Sequence, residues 1–396
     1  MRRSRIAGLI AVGTISLPLL ASTASAVAAS PRAAPSIGTQ LAELKGSDTG
    51  GTNHFGNSVA ISGTTVVVGT SGPDEPGAAA YVFTRAAVGW KQAAELKGSD
   101  TVADDSFGYS VAISGTTVVV GAPMLAGPNR GGRAYVFTRT GAGWKQAAEL
   151  KGSDTVGWDQ FGNSVAISGT TVVVGAPMLA GPNRGGRAYV FMKTGLGWKQ
   201  AAELKGNDTV GSNFKSFGDG FGNSVAISGT TVVVGAGLHA NGRAYVFTRT
   251  ATGWRQVAEL AGVAADLFGD SVAISGTTVV VGAPFSASYA GRAFVFTKIA
   301  AGWTQAAELK GGDTSDFGSS VAISGNTVVV GDDFQSRAHL FTRATGWKQV
   351  DELKGSDSGA ADKFGTSVAI SGTTVVVGAP MLPGANRGGR AYIFEA

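Results

Sequence analysis

The sequence predicts an all-β fold: a seven-bladed β-propeller of four-stranded antiparallel blades, closed by the N-terminal strand completing the last blade. Three observations predict it. First, Ser-Val-Ala-Ile-Ser-Gly-Thr-Thr-Val-Val-Val-Gly begins at Ser58 and returns at Ser110, Ser164, Ser224, Ser271, Ser320 (with Asn326 for one threonine) and Ser367. Second, each copy follows a Phe-Gly pair, at 55, 107, 161, 221, 268, 317 and 364, so the repeat starts are 47–60 residues apart. Periods near 50 residues mark propellers or solenoids. Third, the last copy stops at Ala396 after its third strand, and its missing Ala-Glu-Leu-Lys-Gly stretch stands at 42–46, at the opposite end of the chain.

The second unit shows why each copy reads as four strands. Residues 110–113 alternate small polar and apolar side chains, and Ser114-Gly115 is a tight-turn signal. Residues 117–120 are a β-branched run, apolar on both faces, as a strand buried on both sides requires. A loop over 122–132 leads to the alternating stretch 133–139, and Gly141 and Gly143 break the chain before residues 144–151. In that outer strand Trp144, Gln146, Ala148 and Leu150 share one face and Lys145, Ala147, Glu149 and Lys151 the other. Such a pattern suits a half-solvated strand. No segment carries a sustained helical period. A linear β-solenoid is the alternative, but its coils repeat at shorter periods and need caps at both ends.

A chain of 396 residues ordinarily suggests two or more domains. Repeats sharing one closed core remove that need. The expected organisation is a signal peptide over 1–26, a linker over 27–38 and the propeller over 39–396. Arg2, Arg3 and Arg5 precede an apolar run from Ile6 to Leu20 and an Ala24-Ser25-Ala26 cleavage site. That run is short for a membrane span, which needs about 20 residues. Both the general and the twin-arginine export routes stay open. Cleavage near Ala26 removes three of the five net positive charges, so the basic balance gives no nucleic-acid-binding surface. Cysteine is absent, which excludes disulfides and thiol chemistry. The expectation is a secreted monomer without membrane insertion.

Phe107-Gly108 followed by Gly121-Ala122-Pro123 resembles the FG-GAP repeat of integrin alpha chains and of many secreted bacterial proteins. Gly-Ala-Pro stands complete at 121–123, 175–177, 282–284 and 378–380. It is altered to Gly69-Thr70-Ser71, Gly235-Ala236-Gly237 and Gly331-Asp332-Asp333. The resemblance covers residues 41–396. It implies a seven-bladed propeller and, more loosely, adhesion or ligand recognition. Calcium-binding members carry an Asp/Asn-rich loop between the halves of the motif, where hard cations find several oxygen ligands. Here that position holds Ser62-Gly63-Thr64-Thr65 and its counterparts, without a carboxylate. Neither calcium in these turns nor any other cofactor is expected.

Connections in a four-stranded meander alternate between its two ends. The Ser-Gly turns and the third-to-fourth-strand turns therefore share one face, here the turn face. The second-to-third-strand loops and the inter-blade links share the other, the long-loop face. Variable loops on a fixed scaffold are where binding usually sits. Three loops there are nearly identical, 123–133, 177–187 and 380–390. Their Asn129-Arg130, Asn183-Arg184 and Asn386-Arg387 pairs suit anionic or carboxylate ligands. Alternatively, they are duplicated loops whose arginines pair with nearby aspartates. The links carry Asp104, Asp105, Asp159, Asp219, Asp266, Asp316 and Asp362, which either bind a ligand or hold turns through backbone hydrogen bonds. Six tryptophans recur at the head of the outer strand and read as packing. Trp158 is out of register beside Asp159, where it either stacks on a sugar ring or fills a gap against the next blade.

The three histidines form no ligand pattern, and no Gly-x-Ser-x-Gly elbow or phosphate-binding glycine loop occurs. The favoured reading is a secreted, non-enzymatic recognition or adhesion propeller whose partner is a protein or glycan. A carbohydrate-binding propeller and a hydrolase or lyase with a site near the axis are the alternatives.

Overall fold

A computed structural model describes residues 35–50, 53–71, 78–102, 104–124, 131–178, 185–209, 218–262, 267–312, 316–381 and 388–396. The signal-peptide region lies outside the described residues. Among those described, 28 strands form seven antiparallel four-stranded sheets. Blade 1 shows the order: Ser58–Ser62 innermost, then Thr65–Gly69, Ala80–Arg85 and Trp90–Leu96 outermost. Blades 2 to 6 repeat it over 110–150, 164–204, 225–260, 271–309 and 320–353. Blade 7 takes three strands from 367–395 and its outer strand from Gln40–Leu44, which pairs with Arg390–Glu395.

The closing strand is an outer strand in every detail. Each outer strand carries one β-bulge against its neighbour, between Val136 and Phe137 in blade 2 for instance, and Gln40–Leu44 has its bulge at the same place. Glu43 pairs with Arg390 as Glu149 pairs with Arg133. The Tyr81 hydroxyl donates to Asp48 at 2.7 Å, just as Tyr135 donates to Asp100 at 2.9 Å across the next junction. Burial and the aspartate together push these phenols far above their usual pKa.

The Val-Val-Val run explains why the second strand is apolar on both faces. Val118 and Val120 pack into a cluster shared with blade 1, while Val119 packs into the cluster shared with blade 3. Seven such clusters fill the seven interfaces between neighbouring blades. Five of the six recurring tryptophans border one of these clusters, as Trp144 borders the blade 1–2 cluster, and Trp347 is buried within the blade 5–6 cluster.

A ring of hydrogen bonds closes the turn face. The Gly115 N–H donates to Ser62 Oγ of the preceding blade at 3.1 Å. The same bond recurs round the circle to Gly63 and Ser371, also at 3.1 Å. The final serine of each inner strand thus serves as the acceptor that sets the spacing between blades, which is why the Ser-Gly turns are uniform. Among the described residues no helix is long and apolar enough to cross a membrane.

Candidate functional site at the axial mouth

Phe-Gly fixes where each inner strand begins. Phe161 is fully buried against Tyr189 and Phe191, and its N–H donates to Gly131 O of the preceding blade at 2.9 Å. Gly162 has φ +96°, and a Cβ there would overlap the carbonyl of Arg133. The pair therefore anchors the chain on the preceding blade and delivers the next residue to the axis. That residue is Asn57, Tyr109, Asn163, Asn223, Asp270, Ser319 and Thr366 in blades 1 to 7. All seven line one cavity of about 380 Å³ at the long-loop end of the axis.

These side chains form a partial ladder across blades. Asn57 Nδ2 donates to Tyr109 O at 3.3 Å. Asn163 Nδ2 donates to Asn223 O at 3.1 Å, and Asn223 Nδ2 donates to Asp270 Oδ1 at 3.2 Å. Ser319 Oγ is buried with no hydrogen-bond partner. Burial first, then the charges of Asp316 and Asp333, push the Asp270 carboxyl up to about 6. Burial, then the Asp270 charge, also raises the Tyr109 phenol. Asp270 and Asn223 additionally border a smaller cavity of about 150 Å³, walled by Met178, Leu238 and Gln160.

Ionised Asp270 is a cost to the folded chain. Its folded pKa is raised, so the folded state binds this proton more tightly than the unfolded state does. The penalty is complete above pH about 6 and vanishes toward the ordinary aspartate value near 3.8. Asp270→Asn should therefore stabilise the protein at pH 7 by on the order of 1–3 kcal/mol, with the gain fading by pH 4. Urea denaturation of both proteins at the two pH values checks this. A variant less stable at pH 7 would refute it.

Around the mouth stands a second feature, one residue past each Gly-Ala-Pro or its altered form. Met124, Met178, Leu238, Phe285, Phe334 and Met381 occupy the same repeat position and are 36–57% exposed. The blade 1 counterpart, Gly72, lies outside the described residues. Backbone bonds fix this crown. Met124, Met178, Leu238 and Met381 donate their N–H to the carbonyls of Asp105, Asp159, Asp219 and Asp362, at 3.1–3.3 Å.

The link aspartates are thereby placed. Asp159 is fully buried, and its Oδ2 accepts the Val156 N–H at 2.7 Å. Asp105 and Asp362 hold their links in the same way, through Val102 and Gly359. Beside Asp159, Trp158 is 59% exposed on the long-loop face. In blade 4, His239 Nδ1 lies 2.8 Å from Asp219 and its Nε2 3.4 Å from Asp208. Asn129, Arg130, Asn183, Arg184, Asn386 and Arg387 all lie outside the described residues. The arginines that end those loops, Arg133, Arg187 and Arg390, pair with Glu149, Glu203 and Glu43.

Seven segments of the chain match the FG-GAP repeat: 39–83, 90–137, 144–191, 198–247, 254–296, 303–340 and 347–394. The chain belongs to the FG-GAP repeat family. Each matched FG-GAP repeat starts at an outer strand and ends at the third strand of the following blade, so every repeat bridges two blades. The first repeat accordingly begins with the strand that completes blade 7. The fold is also similar to the crystal structure of Saccharomyces cerevisiae Sqt1, with a TM-score of 0.53 at 13% identity, over 91% of this chain and 100% of that one. At that identity the likeness concerns architecture alone.

The FG-GAP motif made the ring legible in the sequence, but it hid the mouth. The residue after Phe-Gly is the place where seven otherwise similar copies diverge, and that divergence was the available signal. Likewise, the crown was visible only when the residue after Gly-Ala-Pro was compared across copies.

Proposed function

We propose that this chain is an exported, non-enzymatic recognition propeller that binds a protein partner with its long-loop face, in an adhesion-type role. The crown carries the reading. Six large apolar side chains at one repeat position, held outward by the backbone, form a ring on a surface where single scattered hydrophobes are the norm. Met and Phe are enriched in protein interfaces, and flexible methionine adapts to a partner's surface. Membership of the FG-GAP family fits recognition, and the N-terminal signal features support export. A glycosidase needs two carboxyl groups about the scissile bond. Among the described residues lining the mouth, Asp270 is the one carboxylate.

The test uses the mature chain as immobilised bait against extracellular proteins of its source. A Met124→Glu/Met381→Glu double variant should lose at least ~10-fold in capture of the recovered partner, by the scale of interface hot spots. A Val88→Glu/Leu196→Glu variant, altered on the turn face, should retain it. Exposed sites such as these change stability by no more than about 0.5 kcal/mol each, so folding is not confounded. Equal capture by all three proteins would sink the reading.

A further inference from the structure

We propose that the axial mouth is a binding site for a neutral saccharide, seated on Asp270, Asn223 and Ser319. The site adjoins the crown at Met178 and Leu238 but does not depend on a protein partner.

Size and wall chemistry select the ligand. A cavity of about 380 Å³ falls within the range of roughly 300–1,000 Å³ usual for small-molecule sites. Such sites are mostly apolar, whereas here every blade contributes a polar residue at the ring position. An apolar ligand would strand amides and a carboxylate without partners, which costs more than its burial returns. The ligand must therefore be polar over most of its surface.

Donor and acceptor balance narrows the class. A metal cation needs acceptors alone, and an anion needs donors alone. The ring offers both in adjacent positions. Asp270 is an acceptor, Asn223 and Asn163 present an amide each, and Ser319, Thr366 and Tyr109 carry hydroxyls that serve either way. Sugar hydroxyls donate and accept at neighbouring carbons, and they match that alternation. Asn223 is bonded to Asp270 at 3.2 Å, so the two side chains are fixed as a neighbouring amide and carboxylate before any ligand arrives. Preorganisation of this kind reduces the ordering cost of binding.

Two further observations point to an occupant. Ser319 Oγ is buried at the cavity wall without a hydrogen-bond partner, an arrangement that is uncommon in folded proteins and costs stability. Ser319 lines the cavity, and a rotation about χ1 would turn this hydroxyl to a ligand hydroxyl. Asp270 is held near the axis despite burial and the repulsion of Asp316 and Asp333. Serine or threonine serves at the same ring position in blades 6 and 7 without that repulsion. Groups kept at a stability cost in a cavity are candidates for binding. The same negative field excludes acidic sugars, and the Tyr109 ring, 38% exposed, can pack against a sugar's apolar side.

Titration calorimetry and saturation-transfer NMR on the mature chain test this with galactose, mannose, N-acetylglucosamine and glucuronic acid. At least one neutral sugar should bind and glucuronic acid should not. Asp270→Asn, expected to fold at least as well as wild type, should weaken the neutral sugar by ~10-fold or more through loss of a charge-assisted acceptor. Ser319→Ala should weaken it by a few-fold, and lowering the pH through 6 should weaken wild type but not Asp270→Asn. A crown variant away from Asp270, Met124→Glu/Met381→Glu, should bind the sugar as wild type does. Absence of neutral-sugar binding at tens of millimolar, equal binding of glucuronic acid, or an unaltered Asp270→Asn titration would each overturn the proposal. None of these results bears on capture by the crown.

Discussion

Removing residues 39–46 is expected to open the ring and drive the chain into oligomers or aggregates. Those residues supply the whole outer strand of blade 7. Gln40, Ala42, Glu43 and Leu44 face Phe394, Ile393, Tyr392 and Ala391 in the ladder. Gln40 also exchanges two hydrogen bonds with Ser356, at 2.8 and 3.1 Å, which tie this strand to the link leaving blade 6. Leu44 is buried in the cluster that joins blades 7 and 1. Ladder bonds contribute about 0.5–1.5 kcal/mol each, and emptying a buried leucine site costs about 2–5 kcal/mol. Together they rival a typical total stability of roughly 5–15 kcal/mol. The bared edge of Arg390–Glu395 would then template pairing with another chain. Size-exclusion chromatography and thermal unfolding read the result, and a monomer with the wild-type melting temperature would contradict it. A companion variant separates geometry from sequence. Moving residues 38–50 behind Ala396 through a Thr-Gly-Ala-Gly turn, as at 140–143, makes blade 7 contiguous like its neighbours, in the same register. That variant should recover the monomer and its stability. If it aggregates like the deletion, the strand is not acting as the outer strand of blade 7.

How much of this was legible in the sequence depends on what repeats. The seven inner strands, the Val-Val-Val runs and the displaced fourth strand recur nearly unchanged, and the architecture follows from them. The bulge opposite residues such as Val136 and Phe137 was not legible, because outward and inward residues alternate along Gly143–Leu150 with or without it. Function is written in the differences between copies. Reading composition pointed to the link aspartates, yet Asp105, Asp159 and Asp362 spend an oxygen on the backbone of their own links. The mouth is built from seven residues of five types spread over more than 300 positions, and only closure brings Asn57 and Thr366 to one cavity. His239 meets Asp208 and Asp219 because a loop folds between two links, a contact that no spacing rule encodes.

Gly162→Ala should be among the most damaging single substitutions in the chain, and Gly169→Ala, seven residues on, should not. Both glycines have positive φ, +96° and +57°, so both replacements carry a conformational cost of about 1 kcal/mol. They differ in what surrounds them. Nothing lies near a Cβ at Gly169, which sits on the open turn face. At Gly162 the new atom meets the carbonyl of Arg133 and the amide of Ala122, backbone of the preceding blade that no rotamer change can move. Interfaces packed like protein interiors yield to such overlap only by shifting whole strands, so a loss of about 3–5 kcal/mol is expected. Chemical denaturation of both variants checks the contrast, and similar losses at the two sites would refute it. The consequence reaches the mouth. Gly162 O accepts Ser110 Oγ at 2.8 Å, and the next residue, Asn163, bonds Asn223 at 3.1 Å, which in turn holds Asp270. A strand displaced at Gly162 breaks that ladder at its first rung. Under conditions where the variant remains folded, its neutral-sugar affinity should still fall, while Gly169→Ala binds as wild type. The Phe-Gly pair then has two roles with one cause: its close seat on the preceding blade joins the ring, and the same seat aims the following side chain at the axis.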